Sequence, residues 1–367
     1  MNRRDFVKTM GVGAAAVTLP GCISMETESA KYARKIGVVS KPRPEGFLWC
    51  DLVHFGANMW NDWDGTKFDA PEDQFRDNER RSIDQAPKDK FDANSPTDYL
   101  RFDYEVWKEV TQRMADRGLN SILIDVGEAI KWPRCPELAV SDSWEVDRFM
   151  KELDRLRSLG LEPIPKMNFS TCHDAWLKDY GHQISTPKYY EVCAGVIKDA
   201  YEIFGKPRFI HLGYEEEFHD KYARNDDMWW HDLHFLVGET EKLGSRAWVW
   251  TDYPVWRPRE KFIEQMPKSV LQSAWWYPMM KELITCPDPV MFAKAGLFAD
   301  LEKMGFDQVP CGGNYCTDKN MAEIVKMGDA VVKDGRLKGY LTTTWYPTIP
   351  KWRNRLLEAV DQVGELM

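Results

Sequence analysis

The sequence lacks several features that mark whole classes of protein. It has no surplus of basic residues, since 49 Lys and Arg stand against 58 Asp and Glu for a net charge of −9. Nucleic-acid binding needs a positive surface against the phosphates, so this balance argues against that class. There is also no Gly-x-Gly-x-x-Gly turn after the first strand-like run and no Gly-x-Ser-x-Gly elbow. Their absence argues against a dinucleotide-binding sheet and against a serine hydrolase.

Cysteine pairs and long apolar runs are missing as well. None of the 8 cysteines belongs to a Cys-x-x-Cys pair. Cys311 and Cys316 are open to two interpretations, either a local disulfide or two small buried residues. Beyond residue 21, no stretch is apolar enough to cross a membrane.

The N-terminus instead carries an export pattern. Arg3-Arg4 opens a twin-arginine motif, a short apolar run follows, and Leu-Pro-Gly-Cys22 resembles a lipoprotein cleavage site. We predict a signal peptide over residues 1–21, a lipidated Cys22, a tether over 22–45 and a barrel domain over 46–367. The mature protein is expected in the periplasm or at the outer membrane, held to the membrane by its lipid alone. Lipidation of Cys22 would leave seven of the 8 cysteines, an odd number that excludes a complete disulfide framework.

From residue 47 onward, eight strand-like apolar runs alternate with helical stretches. Many of the helices end in glycine, as at Gly118 and Gly160, which is typical of a left-handed turn before a strand. The pattern predicts an α/β fold, a single (β/α)8 barrel, with an open doubly wound sheet as the alternative. Residues 59–102 would form a long charged loop between the first strand and its helix. Such a loop is either a lid or rim over the barrel mouth or a solvated insertion.

Polar and aromatic residues gather at the predicted strand ends, where barrels of this kind carry their chemistry. The residues expected to bind substrate are His54, Asn58, Asp125, Glu128, Lys166, Asn168, His173, His211, Glu217, Trp250, Asp252, Trp275, Trp276, Tyr277, Asn314, Tyr315 and Trp345. Carboxylates among tryptophans and tyrosines favour carbohydrate over phosphate, because the C–H face of a pyranose is apolar. For Asp125 and Glu128 the alternative is a structural role, paired with Lys166 or Arg134.

The most informative segment places Glu215, Glu216 and Glu217 directly after a predicted buried strand. Mutual repulsion and desolvation predict a raised pKa for at least one of these carboxyl groups. A carboxylic acid that keeps its proton near neutrality is what general-acid cleavage of a glycosidic bond requires. The alternative is that the three acids form the solvated first turn of the next helix, where they favour the macrodipole.

The run His211-Leu-Gly-Tyr-Glu-Glu216 resembles the His-x-Gly-Gly-Asp-Glu signature of family 20 glycoside hydrolases, the β-N-acetylhexosaminidases. That signature closes the fourth strand of a (β/α)8 barrel. The resemblance implies that Glu216 is the general acid/base. It places Glu215 where the family has the Asp that orients the substrate's acetamido group, which serves as the internal nucleophile. Tyr214 replaces the second glycine, and the first strand has no arginine of the kind that holds sugar hydroxyls in that family.

The same resemblance implies roles for residues on other strands. His211 would be the histidine beneath the site, and Trp275, Trp276 and Trp345 would form the aromatic pocket. Tyr315 would bond the acetamido oxygen. The expectation is an exported glycoside hydrolase that acts on a terminal sugar, such as an N-acetylhexosamine, by retaining, substrate-assisted catalysis without a cofactor.

Two other functions remain open at this point. One is a carbohydrate-binding protein on a catalytically degenerate barrel. The other is a metal-dependent hydrolase in which His54, His173 and His211 supply the ligands.

Overall fold

The computed structural model describes residues 27–59, 96–216, 225–279, 289–333 and 335–367. The strands are β1 Leu48–His54, β2 Ser121–Asp125, β3 Glu162–Lys166, β4 Phe209–His211, β5 Arg246–Trp250, β6 Leu271–Ser273, β7 Cys311–Gly312 and β8 Gly339–Pro347. The helices in these ranges are α1 Glu28–Lys35, α2 Tyr104–Asp116, α3 Val146–Ser158, α4 Pro187–Ile203, α5 Asp226–Lys242, α6 Tyr253–Trp256, α7 Arg259–Gln265, α8 Pro289–Met304, α9 Asn320–Val331 and α10 Arg353–Gly364. Each of the eight predicted strands overlaps one of these strands.

The eight strands form one parallel sheet in the order β6-β5-β4-β3-β2-β1-β8-β7. Its two ends meet, because Val309 N–H donates to Gln272 O at 2.9 Å and Cys311 N–H donates to Ala274 O at 2.9 Å. The predicted single eight-stranded parallel barrel with helices around it is confirmed, and the open-sheet alternative is wrong.

Side chains alternate between the barrel interior and the layer beneath the helices, as the two-residue period of a strand requires. On β1, Cys50 and Leu52 belong to the interior cluster, whereas Trp49 and Val53 pack in the helix-facing cluster. The helix-facing layer is the larger hydrophobic core. The interior cluster becomes aromatic towards the C-terminal ends of β5 to β8.

Strand register aligns four polar residues in one row of the interior. His54 lies opposite Asp125, Asp125 opposite Lys166, and Lys166 opposite His211. Because all four are the last residues of neighbouring strands, their side chains meet just below the mouth of the barrel. This row is the floor of the candidate site.

The helices begin where local sequence can satisfy their first N–H groups. The Thr186 side chain accepts a hydrogen bond from Tyr189 N–H at the start of α4, and Pro187 stands at the first helical position. The Asp103 side chain likewise caps α2. These starts lie at the mouth of the barrel, since each helix runs antiparallel to the strand before it.

The described part of the predicted tether contains a helix that packs on the barrel. Ala33 of α1 is buried, and Tyr32 Oη donates to Glu323 Oε1 at 2.5 Å. Further along, Arg43 donates to both Asp329 oxygens, at 2.7 and 3.1 Å. Residues 27–45 therefore lie against α9 and α10 as part of the folded unit, while the division at residue 46 stays a prediction.

Most of the predicted long loop, residues 60–95, lies outside the described residues. Its two ends are joined, because Asn58 Nδ2 donates to Thr97 O at 2.7 Å and Thr97 N–H donates to Asn58 Oδ1 at 2.9 Å. Its function as a lid stays a prediction.

Cys311 and Cys316 are both buried and share no disulfide bond, which decides between the two interpretations of that pair. The signal peptide and Cys22 lie outside the described residues. Within the described ranges, no helix combines the length and the apolar character needed to span a bilayer.

Candidate active site

The floor of the site is organised around one buried lysine. The Lys166 side chain is fully buried, and its Nζ donates to Asp125 Oδ2 at 2.8 Å and also to Asn168 Oδ1. Asn168 Nδ2 in turn donates to Asp125 Oδ1 at 3.0 Å. Burial acts to raise the pKa of Asp125, but the charge of Lys166 and the nearby His54 outweigh it and lower that pKa. The pair is therefore an ionised carboxylate and an ammonium held in place by an amide.

Two neutral histidines flank this ion pair. Burial lowers the pKa of His54 and lowers that of His211 well below its usual value, and the Lys166 charge adds to both shifts. His54 Nδ1 lies 3.4 Å from Asp125 Oδ2 without hydrogen-bond geometry. His211 Nδ1 accepts from Gly213 N–H at 3.0 Å, so its proton resides on Nε2. That Nε2–H is buried, has no partner among the described residues and is available to an oxygen atom of a ligand.

The chain leaves β4 through a strained turn. Gly213 has a φ of 74°, and a Cβ there would lie 2.9 Å from Met167 O, so glycine is required. Tyr214 and Glu216 also occupy the left-handed region, with φ of 65° and 54°. Such conformations in residues other than glycine cost about 1–3 kcal/mol each and concentrate at functional sites. At position 214, where the signature it resembles has a second glycine, this chain places a tyrosine in the left-handed region.

Tyr214 is kept in that conformation by contacts outside the barrel. Its hydroxyl donates to Trp229 O at 2.8 Å, and the two rings lie 4.8 Å apart. The turn directs Glu215 and Glu216 to different surroundings.

Glu215 is the buried member of the pair. Its side chain is shielded from solvent, and its backbone N–H donates to Ser170 Oγ at 2.7 Å. Burial raises the pKa of Glu215 well above its usual value, Lys166 opposes that rise, and Glu216, Asp252 and Asp125 add to it. The surroundings of Glu215 therefore favour its protonated form.

Glu216 faces the loop that follows β3. Its Oε2 lies 3.1 Å from His173 Nε2, and its backbone N–H donates to Asp252 Oδ2 at 2.9 Å. Cys172 Sγ donates to Glu216 O at 3.2 Å. A third of the Glu216 side chain is exposed, whereas His173 is almost fully buried. A carboxyl group that is fixed by a histidine and still reached by solvent is well placed to exchange a proton with a ligand.

An aromatic wall completes the other half of the interior. The Trp250 ring lies 4.7 Å from His211, 5.6 Å from Trp345 and 6.0 Å from Trp275. Trp345 Nε1 donates to Tyr277 Oη at 2.8 Å. Tyr315 packs against Tyr277 with ring centroids 5.6 Å apart. In the described part of the chain, Trp250 Nε1–H is buried and has no partner, like His211 Nε2–H beside it.

Four predicted binding residues have other surroundings. Trp276 packs in the helix-facing core, because it follows the inward-facing Trp275 and side chains alternate; the structure thus corrects its assignment to the site. Glu128 accepts hydrogen bonds from Ala57 N–H at 2.8 Å and Asn58 N–H at 3.1 Å. Asn58 ties the loop ends together, and Asn314 Nδ2 donates to Arg355 O at 2.7 Å. These polar groups shape the backbone around the site, and Glu217 lies outside the described residues.

The sequence reasoning missed two residues that support the site. Ser170 accepts the Glu215 N–H, and Arg101 donates to Ala57 O at 2.8 Å. Ser170 follows Asn168 in the same strand-end loop as His173, a signal that was available. Nothing near Arg101 in the sequence indicates that it reaches the segment after β1.

The three histidines proposed as metal ligands take separate partners. His54 lies beside Asp125, His173 beside Glu216, and His211 against Gly213. Across the described ranges, no three His, Cys, Asp or Glu side chains are grouped so as to hold a metal ion.

The fold and the position of the site define a (β/α)8 barrel with a carboxylate pair at the end of β4. Comparison of the sequence with protein-family models and with curated proteins gave no match. Solved structures share the fold. A family 20 β-N-acetylhexosaminidase from Streptomyces coelicolor A3(2) has a TM-score of 0.52 at 13% identity, over 71% of this chain and 61% of its own.

Two further solved structures are similar. One is a mutant Streptomyces plicatus β-hexosaminidase in complex with its product GlcNAc, with a TM-score of 0.51 at 12% identity over 73% of this chain and 62% of its own. The other is a β-N-acetylhexosaminidase from Bacteroides fragilis, with a TM-score of 0.50 at 10% identity over 86% of this chain and 65% of its own. The chain thus spans less than two thirds of the length of these structures, and the likeness shows the fold.

Proposed function

We propose that this protein is a glycoside hydrolase that removes a terminal N-acetylhexosamine with retention of configuration. The observation that carries the proposal is the Glu216–His173 pair beside the buried Glu215, at the end of β4 and opposite the aromatic wall. The shared fold with β-N-acetylhexosaminidases supports it.

In the first step Glu216 gives its proton to the glycosidic oxygen as the bond to the anomeric carbon breaks. The substrate's own acetamido oxygen attacks that carbon, and a cyclic oxazolinium ion forms. Ionised Glu215 accepts the acetamido N–H and stabilises the positive charge. In the second step Glu216 takes a proton from a water molecule, and the oxygen of that water attacks the anomeric carbon. The bond from this carbon to the acetamido oxygen breaks, which opens the oxazolinium ring and releases the N-acetylhexosamine.

This mechanism requires the proton of the pair to reside on Glu216 when substrate is bound. In the free site, burial of Glu215 favours a proton there instead. The two carboxyl groups are coupled, so binding decides the distribution. The acetamido N–H favours ionised Glu215, and the buried ammonium of Lys166 acts in the same direction. Lys166 thereby compensates in part for the desolvation of Glu215.

The polar floor supplies the hydroxyl contacts. The family's first-strand arginine is absent, but Lys166, Asp125 and Asn168 form a cationic, hydrogen-bonded floor on β2 and β3. The unpartnered His211 Nε2–H and Trp250 Nε1–H point to acceptors on the sugar. The aromatic wall would enclose the acetamido methyl group and the apolar sugar face.

Two aryl glycosides that differ only at the 2-position test the proposal. We expect p-nitrophenyl N-acetyl-β-glucosaminide to be hydrolysed and p-nitrophenyl β-glucoside to be left intact. Equal cleavage of both would refute substrate assistance and leave Asp125 or Asp252 as the candidate nucleophile. Binding of N-acetylglucosamine without turnover of either compound would instead support a carbohydrate-binding protein.

We also propose that the protein is exported and anchored through Cys22, as the twin-arginine and lipoprotein patterns indicate. Cys22→Ser should move the protein from the membrane fraction to the soluble fraction after cell lysis. Wild-type protein found only in the soluble fraction would contradict the anchor.

A further inference from the structure

The aromatic wall continues past the barrel interior into a second aromatic surface. Trp275 is the outermost ring of that wall and is only partly buried. Lys294 of α8 places its Nζ 5.2 Å from the centroid of Trp275 and 5.4 Å from that of Trp256. One ammonium group thus lies between two indole rings. We call Trp256, Trp275 and Lys294 the rim cluster.

The rim cluster stands at the mouth of the barrel. Trp256 ends α6, a helix that begins directly after Asp252, and Asp252 accepts the Glu216 N–H at 2.9 Å. Lys294 lies in the second turn of α8, which follows β6 and therefore starts at the mouth. The cluster is continuous with the site through the Trp250–Trp275 contact at 6.0 Å.

Among the described residues, nothing pairs with the positive charge of Lys294 at this rim. In the parts of the chain that are described, Lys294 makes no ion pair, although many other surface lysines do. Trp256 is 38% exposed, an unusual state for so large an apolar ring. Indole faces stack on the apolar faces of sugars, and the ammonium between them attracts an anion.

We infer that the rim cluster is an outer subsite for a sugar that carries an anionic substituent and is linked to the residue being removed. The exposed Trp256 ring would pack against the sugar, and Lys294 would bind its carboxylate or sulfate group. This inference rests on the proposed function, because it assigns the leaving group of that reaction.

The test compares matched disaccharides. Each carries a terminal N-acetylhexosamine, linked to a uronic acid, to the same sugar with its carboxyl group reduced to an alcohol, or to a sulfated neutral sugar. We expect kcat/KM for an acidic substrate to exceed that for the neutral one by about 2–5-fold, the range of an exposed ion pair. A comparison of the uronate disaccharide with the sulfated one identifies which anion is preferred. The preference should shrink in about 500 mM NaCl, since salt screens exposed charges.

Lys294→Met should abolish the preference for the acidic substrates. The matched control is Lys268→Met. Lys268 also stacks on an aromatic ring, 3.5 Å from the Phe306 centroid, but it lies at the opposite end of the barrel, and its removal should leave the preference intact. Equal rates for acidic and neutral substrates in the wild type, or a preference that survives in Lys294→Met, would overturn the subsite.

Binding measurements separate this inference from the proposed function. Calorimetry with the Glu216→Gln protein should show tighter binding of the uronate disaccharide than of its reduced form, and Lys294→Met should remove the difference. If no variant hydrolyses any disaccharide but this difference is found, the subsite stands and the hydrolase proposal fails. If hydrolysis proceeds without any preference, the hydrolase proposal stands and the subsite fails.

Discussion

The two halves of the barrel mouth are built from opposite chemistry. Strands β1 to β4 contribute the row His54, Asp125, Lys166 and His211, all titratable and all buried. Strands β5 to β8 and their loops contribute Trp250, Trp275, Tyr277, Tyr315 and Trp345. The polar half holds fixed charge, and the aromatic half provides apolar faces.

The two halves therefore contribute differently to the site. Buried charges need partners, and Asp125, Lys166 and Asn168 satisfy one another. Aromatic rings carry no charge and need no such network. Within the described residues each half leaves a buried N–H for a ligand, His211 Nε2–H in the polar half and Trp250 Nε1–H in the aromatic half. Glu215 and Glu216 stand where the halves meet, at the β4–β5 boundary. We therefore expect changes in the polar half to alter rates and pH dependence, and changes in the aromatic half to alter binding.

The largest effect is expected for Glu216, at the boundary between the polar and the aromatic half. Glu216→Gln should lower kcat by about 10²–10⁴-fold, the usual contribution of a general acid. The loss should be smaller for aryl leaving groups that need little protonation. The control is Glu241→Gln on the exposed face of α5, which should leave kcat unchanged. An alkyl glycoside hydrolysed at the wild-type rate by Glu216→Gln would remove this residue from the mechanism.

Substitutions of Lys166 test the polar half. Lys166→Met alone would leave Asp125 buried without its ion-pair partner, a loss of about 3–5 kcal/mol in stability. The double variant Asp125→Asn/Lys166→Met removes both charges. Without the ammonium, the pKa of Glu215 should rise further, so the acidic limb of the kcat/KM profile should move up by about one pH unit.

The pH profile of Asp125→Asn alone is the control for this prediction, because that variant keeps the ammonium. A folded double variant whose acidic limb coincides with that of Asp125→Asn would show that Lys166 has no electrostatic influence on Glu215, because these two variants differ only in the ammonium group. Circular dichroism establishes that both variants are folded before the kinetics are compared.

The aromatic half offers two adjacent tryptophans with opposite orientations. Trp275→Phe should raise KM by about 3–10-fold with little change in kcat, because an aromatic contact of this kind contributes about 0.5–1.5 kcal/mol. Trp276→Phe should leave KM unchanged and lower the thermal midpoint, since its ring packs beneath the helices. Steady-state kinetics and thermal unfolding of the two variants check this, and the reverse pattern would contradict the inward-outward assignment.

The smallest effect is expected in the pH dependence of the free energy of unfolding. The pKa of Glu215 is higher in the folded protein than in the unfolded chain, so folding favours the protonated form. The free energy of unfolding should therefore fall as pH rises from the unfolded value near 4.5 through the folded value. The fall is about 1.4 kcal/mol for each unit of difference between the two pKa values.

Glutamine does not ionise, so Glu215→Gln should lack this fall. Its stability advantage over the wild type should grow with pH in urea unfolding measured from about pH 5 to pH 8. Glu241→Gln, on an exposed surface, is again the matched control. Parallel curves for Glu215→Gln and the wild type would show that the buried carboxyl group is not a source of the pH dependence.

Much of the fold followed from patterns within short stretches of sequence. Eight apolar runs that alternate with helices predicted the barrel, and the strand ends predicted Lys166, Asp125 and His211 as neighbours of the site. The boundaries were less accurate. The apolar run before Glu215 continues to Tyr214, but β4 covers only Phe209–His211, because Gly213 and Tyr214 turn into the left-handed region.

The sequence by itself determined the alternation of strands and helices and the adjacency of Glu215 and Glu216, since both depend on residues close in the chain. Tertiary structure alone decided that His173 meets Glu216 across 43 positions and that Lys166 binds Asp125 across 41. It also turned Trp275 inward and Trp276 outward, because the pairing of β6 with its neighbours fixes which face is interior. Register between strands is a long-range property, and burial, which sets the pKa of Glu215, exists only once the barrel has closed.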